Sequence, residues 1–254
     1  MPSTSPRAGL SVAQRFGRKA REYERHAHLQ RLTAETLASF IAAQNIPPGP
    51  VVEIGCGTGL LTRLLADAST SYLATDIAPG MVEACRAKTG SLPRMGFAVL
   101  DGQAANFEKR PALIVSNLTF QWFADPAAGI AALAGQTRAL AFSIMLSGSF
   151  PEWNRAFADL GRTSGLIPLP EEGAILSALR ALPGLRLRHH TLTHARHYDS
   201  AAAFVHSFRG IGADHPRPGY RPGPIRPVLQ RFAQGMDATA RVLYCIAQHD
   251  GLED

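Results

Sequence analysis

The sequence predicts an α/β protein with a mostly parallel sheet and helices on both faces, and three observations predict it. Apolar runs of strand length alternate with helical stretches from Val51 onward. The first run ends in glycines at alternate positions, Gly55, Gly57 and Gly59, directly before a helix. The chain's 254 residues, 46% of them hydrophobic, suffice for one large domain with a buried core and exclude global disorder.

In chain order, residues 1–10 read as a disordered lead-in and 11–254 as a single domain. Residues 11–45 form a helical cover of two helices. Phe16, Ala20, Tyr23 and Ala27 follow one helical face, Leu29, Leu32, Leu37 and Ile41 resume it, and Ile46-Pro-Pro-Gly-Pro50 stops it. Strands are expected at Val51–Ile54, Ser71–Thr75, Phe97–Leu100, Ala112–Val115, Leu140–Met145, Leu185–Thr193 and Thr239–Gln248. Between them fall helices at Leu60–Ala68, Pro79–Lys88, Pro126–Ala134, Pro151–Leu160 and Glu171–Leu182. Residues 198–237 read as a lid-like insertion, with a short helix at Ala201–Phe208, a Pro- and Arg-rich loop at 214–227 and a helix at Val228–Gln234.

Lys and Arg exceed Asp and Glu by 26 to 20, a net charge of +6. Much of that charge clusters at Arg15, Arg18, Lys19, Arg21, Arg25 and Arg31, and again at Arg209, Arg217, Arg221, Arg226 and Arg231. Such clusters attract an acidic partner or stand as solvated helix faces, and charge alone does not choose. No apolar run approaches the roughly 18 residues of a membrane span. The opening residues lack a secretory apolar core, and Cys56, Cys85 and Cys245 have no paired spacing, so a reducing cytoplasm is expected. His189, His190, His194 and His197 divide between two faces of a strand, which argues against a metal site.

The densest chemical signal is Val51-Val-Glu-Ile-Gly-Cys-Gly-Thr-Gly59. Closely spaced glycines let the chain turn sharply and let a ligand approach the backbone. Their spacing departs from G-x-G-x-x-G, which weakens a nicotinamide or flavin reading. Asp76 closes the second strand where a βαβ unit places a carboxylate to accept from both hydroxyls of a ribose. Ile77 and Met81 then fall beside the base.

The string from Glu53 through Gly55, Cys56, Gly57 and Gly59 resembles the first motif of class I S-adenosylmethionine-dependent methyltransferases. That resemblance implies a Rossmann-like sheet of seven strands, the last antiparallel, and assigns Asp101-Gly102 to the adenine and Asn117 to the methionyl end of the cofactor. Base N-methyltransferases carry a Pro-Pro element after the fourth strand. Ser116-Asn-Leu-Thr119 replaces it, and nucleic acid loses support as a partner. Gln121 and Trp122 are expected to wall the acceptor pocket.

Phe16-Gly-Arg-Lys-Ala-Arg-Glu-Tyr-Glu-Arg-His-Ala-His-Leu-Gln30, Ser116 to Trp122, Ser147-Gly-Ser-Phe-Pro-Glu-Trp153 and Ser207-Phe-Arg-Gly-Ile-Gly-Ala213 together narrow the resemblance. Over residues 13–248 the chain is similar to the malonyl-acyl-carrier-protein O-methyltransferases, the BioC family of biotin synthesis. Leu133-Ala-Gly-Gln-Thr-Arg138 departs from that family's usual glycine-rich turn.

The resemblance implies methyl transfer to the free carboxylate of a malonyl thioester on acyl carrier protein or coenzyme A. A carboxylate with a pKa near ~4 is ionised at neutral pH and needs no general base. Tyr23 is expected to shield the sulfonium, His26 to hold the carboxylate, and Arg209 to clamp it with a guanidinium. Two alternatives stay open: a methyltransferase of a small carboxylate such as an aconitate, and a partner-binding protein that has lost turnover.

Overall fold

A computed structural model describes residues 23–46, 48–213 and 223–249. The expected lead-in at 1–10, the cover before Tyr23, its arginines and the loop at 214–222 therefore lie outside the described residues. The chain begins with α1 (Tyr23–His26) and α2 (His28–Ala42), broken at Ala27. It continues as β1 (Pro50–Ile54), α3 (Thr62–Leu65), β2 (Ser71–Asp76), α4 (Pro79–Thr89), β3 (Met95–Val99), β4 (Leu113–Asn117), α5 (Pro126–Ala134) and β5 (Ala139–Met145). The last third holds α6 (Pro151–Ala158), α7 (Glu172–Arg180), β6 (Leu185–Tyr198), α8 (Ala201–Gly210), α9 (Arg226–Arg231) and β7 (Met236–His249).

The seven strands form one sheet in the order β3-β2-β1-β4-β5-β7-β6. β1 to β5 pair in parallel, and β7 runs antiparallel between β5 and β6. Strand order reverses between β1 and β4, and such a switch point opens a crevice at the strands' carboxyl ends.

Period-two alternation splits the core into two layers. Val51, Val115, Ala141, Tyr244 and Ile246 face α2, α6 and α8, whereas Val52, Ile114, Leu140, Phe142, Leu243 and Cys245 face α5 and α7. Every residue of β5 is buried, as its continuous apolar run requires. Truncating Phe142 there would cost about 3–5 kcal/mol.

Two segments differ from the sequence reading. The ladder between β6 and β7 runs on through Thr193↔Arg241 to Tyr198↔Met236. Polar residues on this edge strand hide its length, since its outer face needs no apolar alternation. The helix expected at Leu60–Ala68 shrinks to Thr62–Leu65 and a 3₁₀ turn at Ala66–Ala68, because the glycine loop takes up Leu60 and Leu61.

Candidate active site

The crevice at the switch point holds two adjoining cavities, one of about 610 Å³ and one of about 110 Å³. Tyr23, Leu118, Gln121, Trp122, Ile167 and Leu169 border both.

Backbone turns build the larger cavity. Gly55, Gly57 and Gly59 have φ of 76°, 53° and 88°, conformations that a side chain strains. A Cβ on Gly55 would fall 2.2 Å from Thr119 Oγ1, whereas one on Gly57 meets nothing within 4 Å and would project into open space. Thr75 O accepts from the N–H groups of Gly55 and Cys56, each at 2.8 Å, and fixes the turn to β2.

Asp76 ties the loop from the other side. Its Oδ2 accepts from Gly57 N at 3.0 Å and its Oδ1 from Ala78 N at 2.8 Å. Burial pushes its pKa up, against the pull of these two N–H groups. A carboxylate offers about four lone-pair sites, so two remain for ligand hydroxyls. Ile77, Met81, Leu100, Asp101 and Gly102 continue the wall. Asp101 Oδ1 caps the turn at Gln103 N, and Gly102 packs so closely that a Cβ would sit 2.4 Å from Ile54 Cγ2.

Glu53, Cys56 and Gly59 belong to the motif but do not border the cavity. Glu53 is buried behind the loop, where its Oε2 accepts from Thr62 at 2.6 Å and Tyr72 at 2.8 Å. Burial pushes its pKa up to about 8. Cys56 turns inward against the Cys85 thiol, a contact that raises Cys56 and pulls Cys85 down to about 6. Gly59 passes within Cβ reach of Cys85 Sγ, at 3.2 Å. These residues shape the loop from beneath.

Asn117 borders the larger cavity with its side chain engaged: Nδ2 donates to Gln30 O at 2.9 Å, and Oδ1 accepts from Ser143 Oγ at 2.6 Å. It thus fastens α2 to the ends of β4 and β5. Gln121 Nε2 donates to Leu118 O at 2.7 Å, leaving its buried Oε1 without a partner at the junction of the cavities.

The smaller cavity is apolar and aromatic. Tyr23, His26, Phe150, Tyr198, Ser207 and Phe208 contribute to it, with Leu166, Ile167 and Leu169 on one side. Enclosure, reinforced by the carboxylates of Asp76 and Glu24, drives the Tyr23 phenol well above its usual range and keeps it protonated. His26 meets His206 edge-on at 5.0 Å, a contact that Gly210 permits, since a Cβ there would lie 2.2 Å from the His26 ring.

Arg209 corrects an expectation. Ala202, His206 and Arg209, spaced i, i+4, i+7, form the exposed face of α8, while Phe204, Ser207 and Phe208 turn inward. The guanidinium borders neither cavity.

Sequence reasoning missed several residues here. Glu24 Oε1 accepts from Thr58 at 2.9 Å, Lys88 at 2.6 Å and Arg63 at 3.4 Å, latching α1 to the glycine loop, α3 and α4. Partial burial opposes its charge, but the hydrogen bonds from Lys88 and Thr58 and the nearby Arg63 prevail and hold its pKa below the usual value. Leu118 and Phe150, with φ of 49° and 55°, are two of the three non-glycine residues in left-handed conformation among those described, and both line the smaller cavity. Such strain gathers at functional sites. The only sequence signal for the lining at 166–170 was an apolar, Pro-rich run in a segment with no assigned element.

Residues 51–141 match the family model described as a methyltransferase domain. In fold, the chain is similar to the YcgJ protein of Bacillus subtilis (TM-score 0.59, 11% identity, 85% of this chain and 100% of that one). It is also similar to magnesium protoporphyrin IX methyltransferase of Synechocystis, solved with bound SAM (TM-score 0.51, 16% identity, 89% and 83%). In sequence it is 38% identical over 245 residues to the biotin biosynthesis bifunctional protein BioCD of Bordetella avium, covering 92% of this chain but 51% of that protein, about half its length. It is 32% identical to the malonyl-[acyl-carrier protein] O-methyltransferase of Anoxybacillus flavithermus over 88% of each chain. For the enzyme of that name from Magnetococcus marinus the identity is 33%, over 92% of this chain and 90% of that one. With identities above 30% across nearly the whole of two such relatives, and with a methyltransferase fold around the glycine loop, the chain belongs to the malonyl-[acyl-carrier protein] O-methyltransferase family.

Proposed function

We propose that this protein transfers a methyl group from S-adenosylmethionine to the free carboxylate of a malonyl group held as a thioester on acyl carrier protein, an early step of biotin synthesis. The observation that carries the reading is the pair of adjoining cavities with a shared wall at Tyr23, Leu118, Gln121 and Trp122. The larger has the features a nucleoside needs: an open Gly57 backbone, the spare lone pairs of Asp76, and an apolar slot at Ile77, Met81 and Leu100. The smaller, mainly apolar, suits a short acyl group.

Bound in the larger cavity, S-adenosylmethionine supplies an electrophilic methyl on a cationic sulfur. The chain's own work is alignment and exclusion of water. Asp76 holds the ribose, and Asp101 and Gly102 border the place of the adenine. Tyr23, kept neutral, roofs the junction without competing as a nucleophile. The acceptor carboxylate arrives ionised, so no residue has to take a proton. What remains is to set oxygen, methyl carbon and sulfur in line within a chamber that strips water from both charges.

Neutralising the malonyl carboxylate lets a chain-elongating system treat it as an apolar primer. The basic residues fit an acidic carrier through steering. No helix among the described residues is long and apolar enough to cross a membrane.

Mass spectrometry of malonyl-acyl carrier protein, malonyl coenzyme A and aconitate, each incubated with the protein and S-adenosylmethionine, tests the reading. A gain of one methyl on the malonyl carrier is expected. Methylation of aconitate alone, or cofactor binding without any turnover, overturns it.

A further inference from the structure

The smaller cavity has an unusual charge pattern for a site that receives an anion. None of its lining residues among those described is Lys, Arg, Asp or Glu. Its polar side-chain groups are the hydroxyls of Tyr23, Tyr198 and Ser207, the His26 imidazole, the Trp122 indole N–H, and the amides of Gln30 and Gln121. A carboxylate drawn into such a chamber loses its water and must recover hydrogen bonds from these groups.

Tyr23, Gln121 and Trp122 serve the cofactor side as well, where the attacking oxygen belongs. Gln121 Nε2 is committed to Leu118 O. A donor for the second carboxylate oxygen has to come from residues that border the smaller cavity alone, and Tyr198 is one of these. It is the last residue of β6, and its hydroxyl lies 3.4 Å from Ser207 Oγ on α8. Ser207 Oγ is the donor in that contact, sharing its proton with the Phe204 carbonyl at 2.7 Å, so the Tyr198 oxygen accepts and its own phenolic proton can turn to a ligand. The Tyr198 ring is fixed edge-on to Phe204 at 5.4 Å, and the Arg196 guanidinium lies over it at 4.9 Å. A fixed ring makes a fixed donor.

We propose that Tyr198, seated by Ser207, holds the second oxygen of the acceptor carboxylate through a neutral O–H donor, in place of a guanidinium clamp. The assignment deepens the proposed function and rests on it. Its chemical sense lies in the charge change during methyl transfer. An arginine would grip both oxygens at once and bind the full charge of the ground state, which is cancelled as the ester forms. Such binding favours the bound substrate over the transition state and slows the step. One phenolic hydrogen bond orients the group and leaves most of the charge on the attacking oxygen.

The test compares Tyr198→Phe with wild type on malonyl-acyl carrier protein, with acetyl-acyl carrier protein as competitive inhibitor and S-adenosylhomocysteine affinity as a control. Acetyl carries the same carrier and arm without the carboxylate. The KM for the malonyl carrier should rise about 10-fold, as expected for one hydrogen bond to a charged group. The inhibition constant of the acetyl carrier and the affinity for S-adenosylhomocysteine should stay unchanged. Ser207→Ala should move the malonyl KM in the same direction by a smaller factor. An unchanged malonyl KM in Tyr198→Phe, or equal weakening of malonyl and acetyl carriers, overturns the assignment. Failure of the wild type to methylate the malonyl carrier overturns instead the reading of function on which it rests, so the two failures are told apart.

Discussion

The larger cavity is formed at the ends of β1 to β4, where backbone geometry and one carboxylate do most of the shaping. The smaller is formed by side chains from α1, α8, the end of β6 and the run at 166–169, segments far apart in the chain. A site made by backbone needs particular residue types at fixed spacing, because only glycine passes freely through φ of 53° to 88° and only an acceptor can take two loop N–H groups. A site made by packed side chains accepts many residue types and prints no spacing. The same difference sets how each half should respond to substitution.

The largest effect is expected from Asp76→Ala. The change strands the N–H groups of Gly57 and Ala78 and removes the acceptor proposed for the ribose. The stranded N–H groups lower stability, whereas each ribose hydroxyl left without its charged acceptor costs about 1–3 kcal/mol of binding, so affinity for S-adenosylmethionine should fall by roughly 100-fold. Calorimetry that found the wild-type affinity would show that backbone alone makes this half of the site.

That contrast also explains what was legible. The glycines and Asp76 were readable because backbone turns dictate them, and the parallel direction of β1 to β5 because alternating strands and helices dictate it. Arg209 was misplaced for want of a helical phase: its identity as a cation said nothing about which side of α8 it takes. Tyr198 was invisible, since β6 was expected to stop at Thr193 and its last five residues have no apolar alternation. Glu24 gave no signal because its three partners, Thr58, Arg63 and Lys88, meet it only in the folded chain.

Glu53 supports the backbone half from beneath, and its effect should appear in stability. Its pKa stands at about 8 in the folded protein against 4.5 as the ordinary value, so within that window the folded state keeps a proton that the unfolded state has released. Stability from this group therefore falls as pH rises through the window. Cys85, pulled down to about 6, acts in the opposite sense, and the clean reading is the difference between wild type and Glu53→Gln. Thermal melts on either side of the window should show the variant gaining on wild type as pH rises. A constant difference would mean that Glu53 titrates alike in the folded and unfolded states.

A smaller change is expected from Glu24→Gln, which tests whether the two halves are held together by charge. The contacts to Arg63 and Lys88 are partly exposed, and such pairs contribute only about 0–1 kcal/mol. The hydrogen bond from Thr58 can persist with glutamine. The KM for the acceptor should rise about 2- to 5-fold, less so at high salt, as Tyr23 and His26 lose part of their anchorage. A salt-independent effect would point to packing as the latch.

The smallest effect belongs to Arg209→Ala, and it separates the two descriptions of the acceptor half. If charge in the sequence were a guide to the pocket, removing the best-placed arginine would cost the malonyl acceptor its grip. The exposed face of α8 puts the guanidinium outside both cavities, so the preference for malonyl over acetyl carrier should stay within about twofold of wild type. Comparing the two carriers matters here, because a surface arginine that steers an acidic protein would weaken both together and leave their ratio alone. A selective loss of the malonyl carrier would require Arg209 to swing inward on binding, and the neutral grip proposed for Tyr198 would then share the carboxylate with a guanidinium.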